Sequence, residues 1–155
     1  AGDLKRAIPL YETTLTARER VLGQDHPSTL TARNNLAGVY QTAGDLKRAI
    51  PLFKVALADC ERVLGQDHPN TLLLRNNLAL AYKTAGNPKR AIPLYEAALA
   101  DCERVLGQDH PNTLLLRNNL ALAYQAAGDP KRAISLHEAA LAEFERVLGQ
   151  DQSVQ

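Results

Sequence analysis

The stretch RNNLALAY, at Arg75–Tyr82, decides how this sequence folds. It recurs unchanged at Arg117–Tyr124, and the similar RNNLAGVY occupies Arg33–Tyr40. Asn costs a helix roughly half a kcal/mol relative to Ala. Each copy nevertheless sets two Asn residues side by side in an otherwise apolar, helical segment. Three such pairs indicate that the Asn side chains make a contact that Ala could not make.

The recurrence extends along nearly the whole chain. Four glycines, 42 residues apart, each open a phrase of the form G-[DN]-[LP]-K-R-A-I. The 24 residues of Asp59–Tyr82 also return unchanged at Asp101–Tyr124. A fixed period of this length is typical of a solenoid, in which each unit buries its apolar face against its neighbours. We therefore predict a single solenoid domain over residues 1–150, followed by a tail at 151–155.

Each period contains the signals of two helices and none of a strand. A Pro opens the first helix, where its missing N–H is not needed, and a Gly ends each helix. The prediction is an all-α chain of seven helices, with a lone second helix at 3–22 and repeats at about 27–64, 69–106 and 111–148. The predicted N-caps of the second helices are Asp3, Asp45, Asn87 and Asp129. The glycines predicted to end them are Gly23, Gly65, Gly107 and Gly149.

Pro9, Pro51 and Pro93 fall about six residues into the second helices, where Pro removes a backbone hydrogen bond. We expect these residues to bend their helices, and the fourth copy, which carries Ser135, to be the straightest.

Composition excludes several classes of function. The chain of 155 residues is 45% hydrophobic and 23% charged, with a net charge of +1, and its acidic and basic residues are interspersed. This pattern predicts no nucleic-acid partner, and no apolar run is long enough to span a membrane. Two cysteines do not form a disulfide framework, so we expect a cytoplasmic protein.

Because the chain opens on AGDLKRAI without an initiator Met, we expect it to be part of a longer protein.

The repeated residues also carry a family resemblance. The pattern N-N-L-A-x-x-Y-x-x-x-G-x-x-x-x-A resembles the tetratricopeptide repeat (TPR), and the 42-residue period with its LGQDHP linker resembles the kinesin light chain subtype. The resemblance implies a right-handed superhelical α-solenoid. Its first helices would line a concave groove that receives peptides. One departure is that Arg33, Arg75 and Arg117 stand where shorter repeats usually carry Trp.

Helical geometry tests that placement for the first helix of the second repeat. At 100° per residue, one face forms a core stripe of Leu74, Leu78, Ala81, Tyr82 and Ala85. Asn76, Leu73 and Leu80 fall on the opposite face, with Asn77 at its edge. An amide offers both a donor and an acceptor to a peptide backbone, and exposed leucines can receive its side chains. The predicted peptide-binding residues are Asn34, Asn35, Leu73, Asn76, Asn77, Leu80, Leu115, Asn118, Asn119 and Leu122. The groove of the first repeat should be less apolar, because Thr31 and Gly38 replace leucines there.

An alternative role for the asparagines is structural. They could bond across to the neighbouring first helix and fix the register between repeats. In that case, the array would be an assembly element or spacer. The exact copies also leave open a consensus-like designed array.

Other constellations predict no chemistry. His26, His68 and His110 are equivalent points on stacked helices and so lie at least one helix diameter, about 10 Å, apart. That is too far to share a metal ion, so turn and capping roles are expected. His137 replaces an aromatic residue and is expected to pack in its place. Cys60 and Cys102 align with Arg18 and Phe144, which suggests partial exposure. No catalytic arrangement is present, so the sequence predicts neither an enzyme nor a cofactor.

The two ends of the predicted array lack polar caps. Because successive units are so similar, one molecule's tail could stack on another's head, and such contacts can propagate. The sequence therefore predicts head-to-tail association or exchange of end helices.

Overall fold

The computed structural model describes residues 2–151, without the side chains of residues 2, 147, 150 and 151. Within the described range the chain forms seven α-helices and no strand, which confirms the all-α prediction. The helices are α1 (Gly2–Leu22), α2 (Pro27–Thr42), α3 (Leu46–Leu64), α4 (Pro69–Thr84), α5 (Pro88–Leu106), α6 (Pro111–Ala126) and α7 (Pro130–Asp151). We call α2, α4 and α6 the first helices, and α1, α3, α5 and α7 the second helices.

The first helices begin as the sequence predicts, with Pro at the first position and a His before it. The His26 Nδ1 atom accepts a hydrogen bond from the Ser28 N–H at 3.1 Å. His68 and His110 accept from Asn70 and Asn112 in the same way, at 3.1 and 3.2 Å. These three histidines are N-caps, so the capping interpretation is confirmed.

The second helices depart from prediction at three ends. Asp45 and Asp129 accept cap hydrogen bonds from Arg48 and Arg132. Asp3, however, lies inside α1, and the Asn87 side chain accepts no cap hydrogen bond. Gly149 does not end α7, which continues to Asp151.

The different behaviour of Gly149 has a local cause. Gly65 and Gly107 adopt φ values of 91° and 92°, and each carbonyl accepts a hydrogen bond of 2.8 Å from a Thr of the next first helix. The sequence after Gly149 lacks the His-Pro that starts such a helix. Without that turn, the α-helical hydrogen bonding simply continues.

Helices pack in chain order, each against the next, and the spacing differs between the two sets. Among the described residues α2 contacts α4 and α4 contacts α6, whereas no two second helices come within 8 Å between Cα atoms. The first helices therefore lie on the more closely spaced side of the array. This is the side on which the predicted binding residues lie.

The core lies between the helix layers. Phe53 and Tyr95 are fully buried among alanines such as Ala49 and Ala91. The predicted core stripe of α4 is buried except for Ala85, which is exposed because it follows the last residue of the helix.

Two predictions about single positions are wrong. Cys60 and Cys102 are buried, with 1% and 2% of their surface exposed, because α3 and α5 are covered on both sides by first helices. His137 is exposed and does not pack as an aromatic substitute, because α7 contacts no helix but α6 within the described range.

Candidate binding surface of the first helices

All ten predicted binding residues lie on α2, α4 and α6, and none is fully buried. The exposed fractions of Leu73, Leu115 and Leu122 are 49%, 53% and 40%, and Leu80 is half-buried. Exposed apolar side chains beside amides form a surface that can accept another chain.

The asparagines pair with one another across the array. Asn77 Nδ2 donates a hydrogen bond to Asn34 Oδ1 at 3.2 Å, and Asn119 Nδ2 donates to Asn76 Oδ1 at 3.2 Å. The second Asn of each first helix thus reaches the first Asn of the preceding first helix. The structural alternative is observed for these two pairs.

These two pairs, which we call the asparagine ladder, use both kinds of polar atom that an amide offers. Asn77 and Asn119 donate through Nδ2, whereas Asn34 and Asn76 accept through Oδ1, and Ala has neither group. Each paired amide also keeps polar atoms that the ladder does not use. At the ends of the ladder Asn35 and Asn118 are both exposed, and their side chains show no hydrogen bond within the described part of the chain.

A cleft of about 290 Å³ opens between α4 and α6. Leu73 and Leu115 line it together with Asn76, and Leu72, Leu116 and Cys102 are among the other lining residues. Leu80 and Leu122 do not line this cleft, so the structure brings together only part of the predicted set.

The equivalent cleft one repeat earlier is smaller, at about 130 Å³. Asn34, Asn35 and Leu73 line it, and Thr31 takes the place that Leu73 has in the larger cleft. The first-repeat cleft is therefore the less apolar of the two at this position, as the sequence predicts.

Sequence reasoning did not foresee the role of the buried arginines. Arg33 pairs with Glu19 of α1 at 2.9 Å and with Asp59 of α3 at 2.5 Å, while only 5% of its side chain is exposed. Arg33 thus joins its first helix to the second helices on both sides. A signal was present, because each Arg has an acidic residue 14 positions before it and 26 positions after it.

Arg75 repeats this arrangement, and Arg117 shows half of it. Arg75 pairs with Glu61 at 2.8 Å and with Asp101. Arg117 pairs with Glu103 at 2.8 Å. At the position of the second acid, Glu143 pairs with Arg146 of its own helix. Since Arg75 directly precedes Asn76, the ion pairs fix the rotation of the helix that presents the amides.

The cleft carries no uncommitted acid. Asp67 lines it, but Arg104 donates hydrogen bonds to its carboxylate, one of them at 2.9 Å. That hydrogen bond holds the pKa of Asp67 below its ordinary value. Recognition in the cleft therefore depends on apolar contact and amides.

Neither an activated thiol nor a cluster of metal ligands is found among the described residues. Burial raises the pKa of the Cys60 and Cys102 thiols, which disfavours the reactive thiolate. No group of three or more His, Cys, Asp or Glu residues in the described range could hold a metal ion. No described helix combines the length and apolar character needed to cross a membrane.

Stacked helix pairs that meet through a repeated surface define a helical-repeat solenoid of the scaffold class. Comparison with known families shows to which repeat family the chain belongs. The tetratricopeptide repeat model matches residues 1–61, 56–101 and 85–146. The chain therefore belongs to the tetratricopeptide repeat family. No curated protein sequence matches it.

Solved structures agree with this assignment. The chain is similar to nearly identical TPR-like repeats from a kinesin light chain candidate of Podosopora anserina, with 31% identity and a TM-score of 0.88 over 94% of this chain and 69% of that one. It is also similar to BtubC (BKLC) from P. vanneervenii, with 26% identity and a TM-score of 0.84 over 96% of this chain and 59% of that one. The TPR domain of Arabidopsis FLU, 18% identical with a TM-score of 0.64 over 76% of this chain and 95% of that one, shares the fold.

Proposed function

We propose that this chain is a non-catalytic binding module that holds an extended peptide or protein segment against its first helices in the cytoplasm. TPR repeats in general mediate protein–protein interaction. Binding of this kind needs neither a cofactor nor a metal ion.

The observation that carries it is the cleft between α4 and α6. Its exposed leucines, Leu73 and Leu115, flank Asn76. Binding sites for extended chains combine apolar pockets with a few polar groups that fix orientation. A bulky apolar side chain of the ligand would enter this cleft, while unused amide atoms of the ladder would bond to its backbone.

The cleft can be tested with peptides selected from a random display library. Leu115→Glu should abolish binding of the selected peptides without unfolding the chain, because the side chain is 53% exposed. Val55→Glu is the matched control, since Val55 is 51% exposed but lies on the second helix α3. Equal affinity of the Leu115→Glu variant and the control would contradict the proposal.

The amides can be tested separately, because the ladder supplies its own control. Asn118→Ala removes an exposed amide outside the observed pairs, whereas Asn76→Ala removes the partner of Asn119. If amides hold a ligand, Asn118→Ala should weaken peptide binding by about 1 kcal/mol and leave the melting temperature unchanged. If amides serve only the register, Asn118→Ala should change neither quantity, and Asn76→Ala should lower the melting temperature.

A second candidate function, self-assembly through the ends, is favoured by one observation. The terminal helix α7 exposes a row of large apolar side chains, with Ile134, Leu141, Phe144 and Leu148 between 48% and 61% exposed. An apolar row of this kind typically marks a contact surface. Light scattering from this chain over a hundredfold range of concentration would test the idea, and a strict monomer would contradict it.

A further inference from the structure

Two residues of the apolar row on α7, Leu141 and Phe144, lie at positions that other second helices cover with the next first helix. Leu141 is 57% exposed, but its equivalents Leu57 and Leu99 are 8% and 7% exposed. Phe144 is 61% exposed, while Cys60 and Cys102 at the same position are buried. The surface that fits α7 is therefore one side of a first helix of this repeat type, the side that packs against the second helix before it in the chain.

In this chain, the first helix at the start of the array is α2, and the helix before it is α1. That side of α2 is covered by α1, which contacts no other helix of the described chain. Leu15 is the one hydrophobic residue of α1 that is buried, and Leu10 and Val21 are 68% and 70% exposed. The contact between α1 and α2 is thus of the same kind as the contact that α7 lacks.

Two of the polar groups that hold α1 on α2 recur in register on α7. A further contact, from Arg18 to the Ser28 carbonyl at 2.8 Å, does not recur, because Phe144 stands at the position of Arg18. Glu19 pairs with Arg33 at 2.9 Å, and Glu12 accepts a hydrogen bond of 2.5 Å from the Tyr40 hydroxyl. Glu145 and Glu138 occupy the same positions on α7, where both are exposed. Superimposing α7 on α1 would place these carboxylates against Arg33 and Tyr40, with Leu141 in the position of Leu15.

The asparagine ladder would continue through the same junction. In the observed pairs the donor follows the acceptor by 43 residues. With α7 of one copy in the place of α1 on the next copy, Asn118 stands one repeat before Asn35. The exposed ends of two ladders would then form one more pair, with Asn35 as donor and Asn118 as acceptor.

We propose that α7 of one copy binds α2 of a second copy and displaces that copy's α1, so that the solenoid continues from molecule to molecule. This inference rests on the second candidate function, self-assembly. Because α7 and the side of α2 that α1 covers are different surfaces, the contact is heterologous and can propagate.

Sedimentation velocity on the full chain over a hundredfold concentration range tests association itself. Wild type should show a concentration-dependent series of oligomers. Phe144→Asp should weaken association roughly tenfold or more, since a large apolar side chain no longer becomes buried. Val21→Asp adds the same charge to an exposed position on α1, the helix that leaves, and should not weaken association. Equal weakening by both variants would overturn the proposal.

The register can be tested by cross-linking. Chains carrying Asn35→Cys and chains carrying Asn118→Cys are mixed and treated with a short thiol-specific cross-linker. The mixture should give a cross-linked heterodimer. A mixture of Asn118→Cys with Lys54→Cys, an exposed position on α3, should not.

Displacement of α1 has its own readout in amide hydrogen exchange. The α1 amides should exchange faster at high protein concentration, while those of α4 should not. Oligomers without the cross-link and without faster exchange in α1 would overturn helix exchange and leave self-assembly standing. A monomer at every concentration would overturn both.

Discussion

The buried hydroxyl of Tyr95 is expected to lower the stability of the fold. Tyr95 is fully buried, and its hydroxyl has no hydrogen-bond partner among the described residues. An unsatisfied buried hydroxyl costs about 1–3 kcal/mol. Tyr95→Phe should therefore raise the free energy of unfolding by about 1 kcal/mol or more in a denaturant titration, as Phe53 at the same position of the previous repeat suggests. Tyr124→Phe is the control and should lower stability, because the Tyr124 hydroxyl donates to Glu96.

The same side chain makes a pH prediction. Burial raises the pKa of Tyr95 to about 12 from an ordinary value of 10.0. Above pH 10 the unfolded chain loses this proton while the folded chain still holds it, so stability should fall as the pH rises from about 10 to 12. The fall should be smaller in Tyr95→Phe. It should not vanish, since burial also raises the pKa of Tyr40 and Tyr124. Identical alkaline profiles for wild type and Tyr95→Phe would contradict this assignment.

The buried arginines predict a graded effect. Arg75→Met removes the Arg75 ion pairs of both Glu61 and Asp101, although Asp101 keeps its pair with Arg104 at 3.1 Å, whereas Arg117→Met removes only the pair with Glu103. Breaking a buried pair from one side costs about 3–5 kcal/mol. Since these carboxylates are partly exposed, we expect about 3 kcal/mol for Arg75→Met and clearly less for Arg117→Met. Denaturant titration of both variants measures the difference, and equal losses would contradict the two-sided role.

At the scale of single residues, the sequence predicted which face of a helix a residue occupies better than it predicted which residues it contacts. Helical spacing placed the asparagines on the surface of α4 but could not give the distance to the next first helix, which decides whether two amides meet. Cys60 was misjudged because its aligned positions, Arg18 and Phe144, lie on the two terminal helices. Identical positions in a repeat have different exposure when one of them lacks a neighbour.

At the scale of the helix, the prolines of the second helices are accommodated without a break. Pro51 lies inside α3 and Pro93 inside α5, each a single helix of 19 residues. Pro removes one backbone hydrogen bond and crowds the preceding turn, and kinks are commonly found at such residues. We expect the axis of α7, which carries Ser135, to be straighter than the axes of α3 and α5. Axis bends measured in a crystal structure of the chain would decide this, and equal bends would show that packing sets the curvature.

Helix starts were predictable because local chemistry sets them. The His-Pro pair before each first helix supplies a cap and a fixed φ within three residues, and the structure uses both. Helix ends depend also on the residues that come after them in the chain, as Gly149 shows. A Gly permits the turn but does not impose it, so the missing His-Pro allowed α7 to continue.

At the scale of the molecule, stability should be unequal along the array. Among the residues that the structure describes, α4 packs against α3, α5 and both other first helices, whereas α1 and α7 each pack against one helix. Local opening costs less where fewer buried contacts break. In dilute solution, amide hydrogen exchange should therefore be slowest in α4 and fastest in α1 and α7. Uniform protection would instead indicate that the array opens as a single unit.

The fold was predictable from the 42-residue period because each unit repeats the same apolar pattern and the same caps. The candidate site was predictable only in part. The period placed its residues on one side of the array, while the cleft between α4 and α6 depends on how far apart the helices stand. The ion pairs of Arg75 and its equivalents, which the apolar pattern does not contain, also join the first helices to the second helices.

The short reach of the cross-repeat contacts has a consequence for the gene. The Arg75–Asp101 pair spans 26 residues, the Arg104–Asp67 pair 37 and the Asn77–Asn34 bond 43, so these contacts join neighbouring units only. Because Asp59–Tyr82 and Asp101–Tyr124 are identical, unequal recombination anywhere within these segments deletes 42 codons and yields the same shorter protein. Each residue at the new junction then finds a partner of the same type at the same spacing. The length of the array can thus change by whole units in one genetic event, without any compensating substitution in the interior.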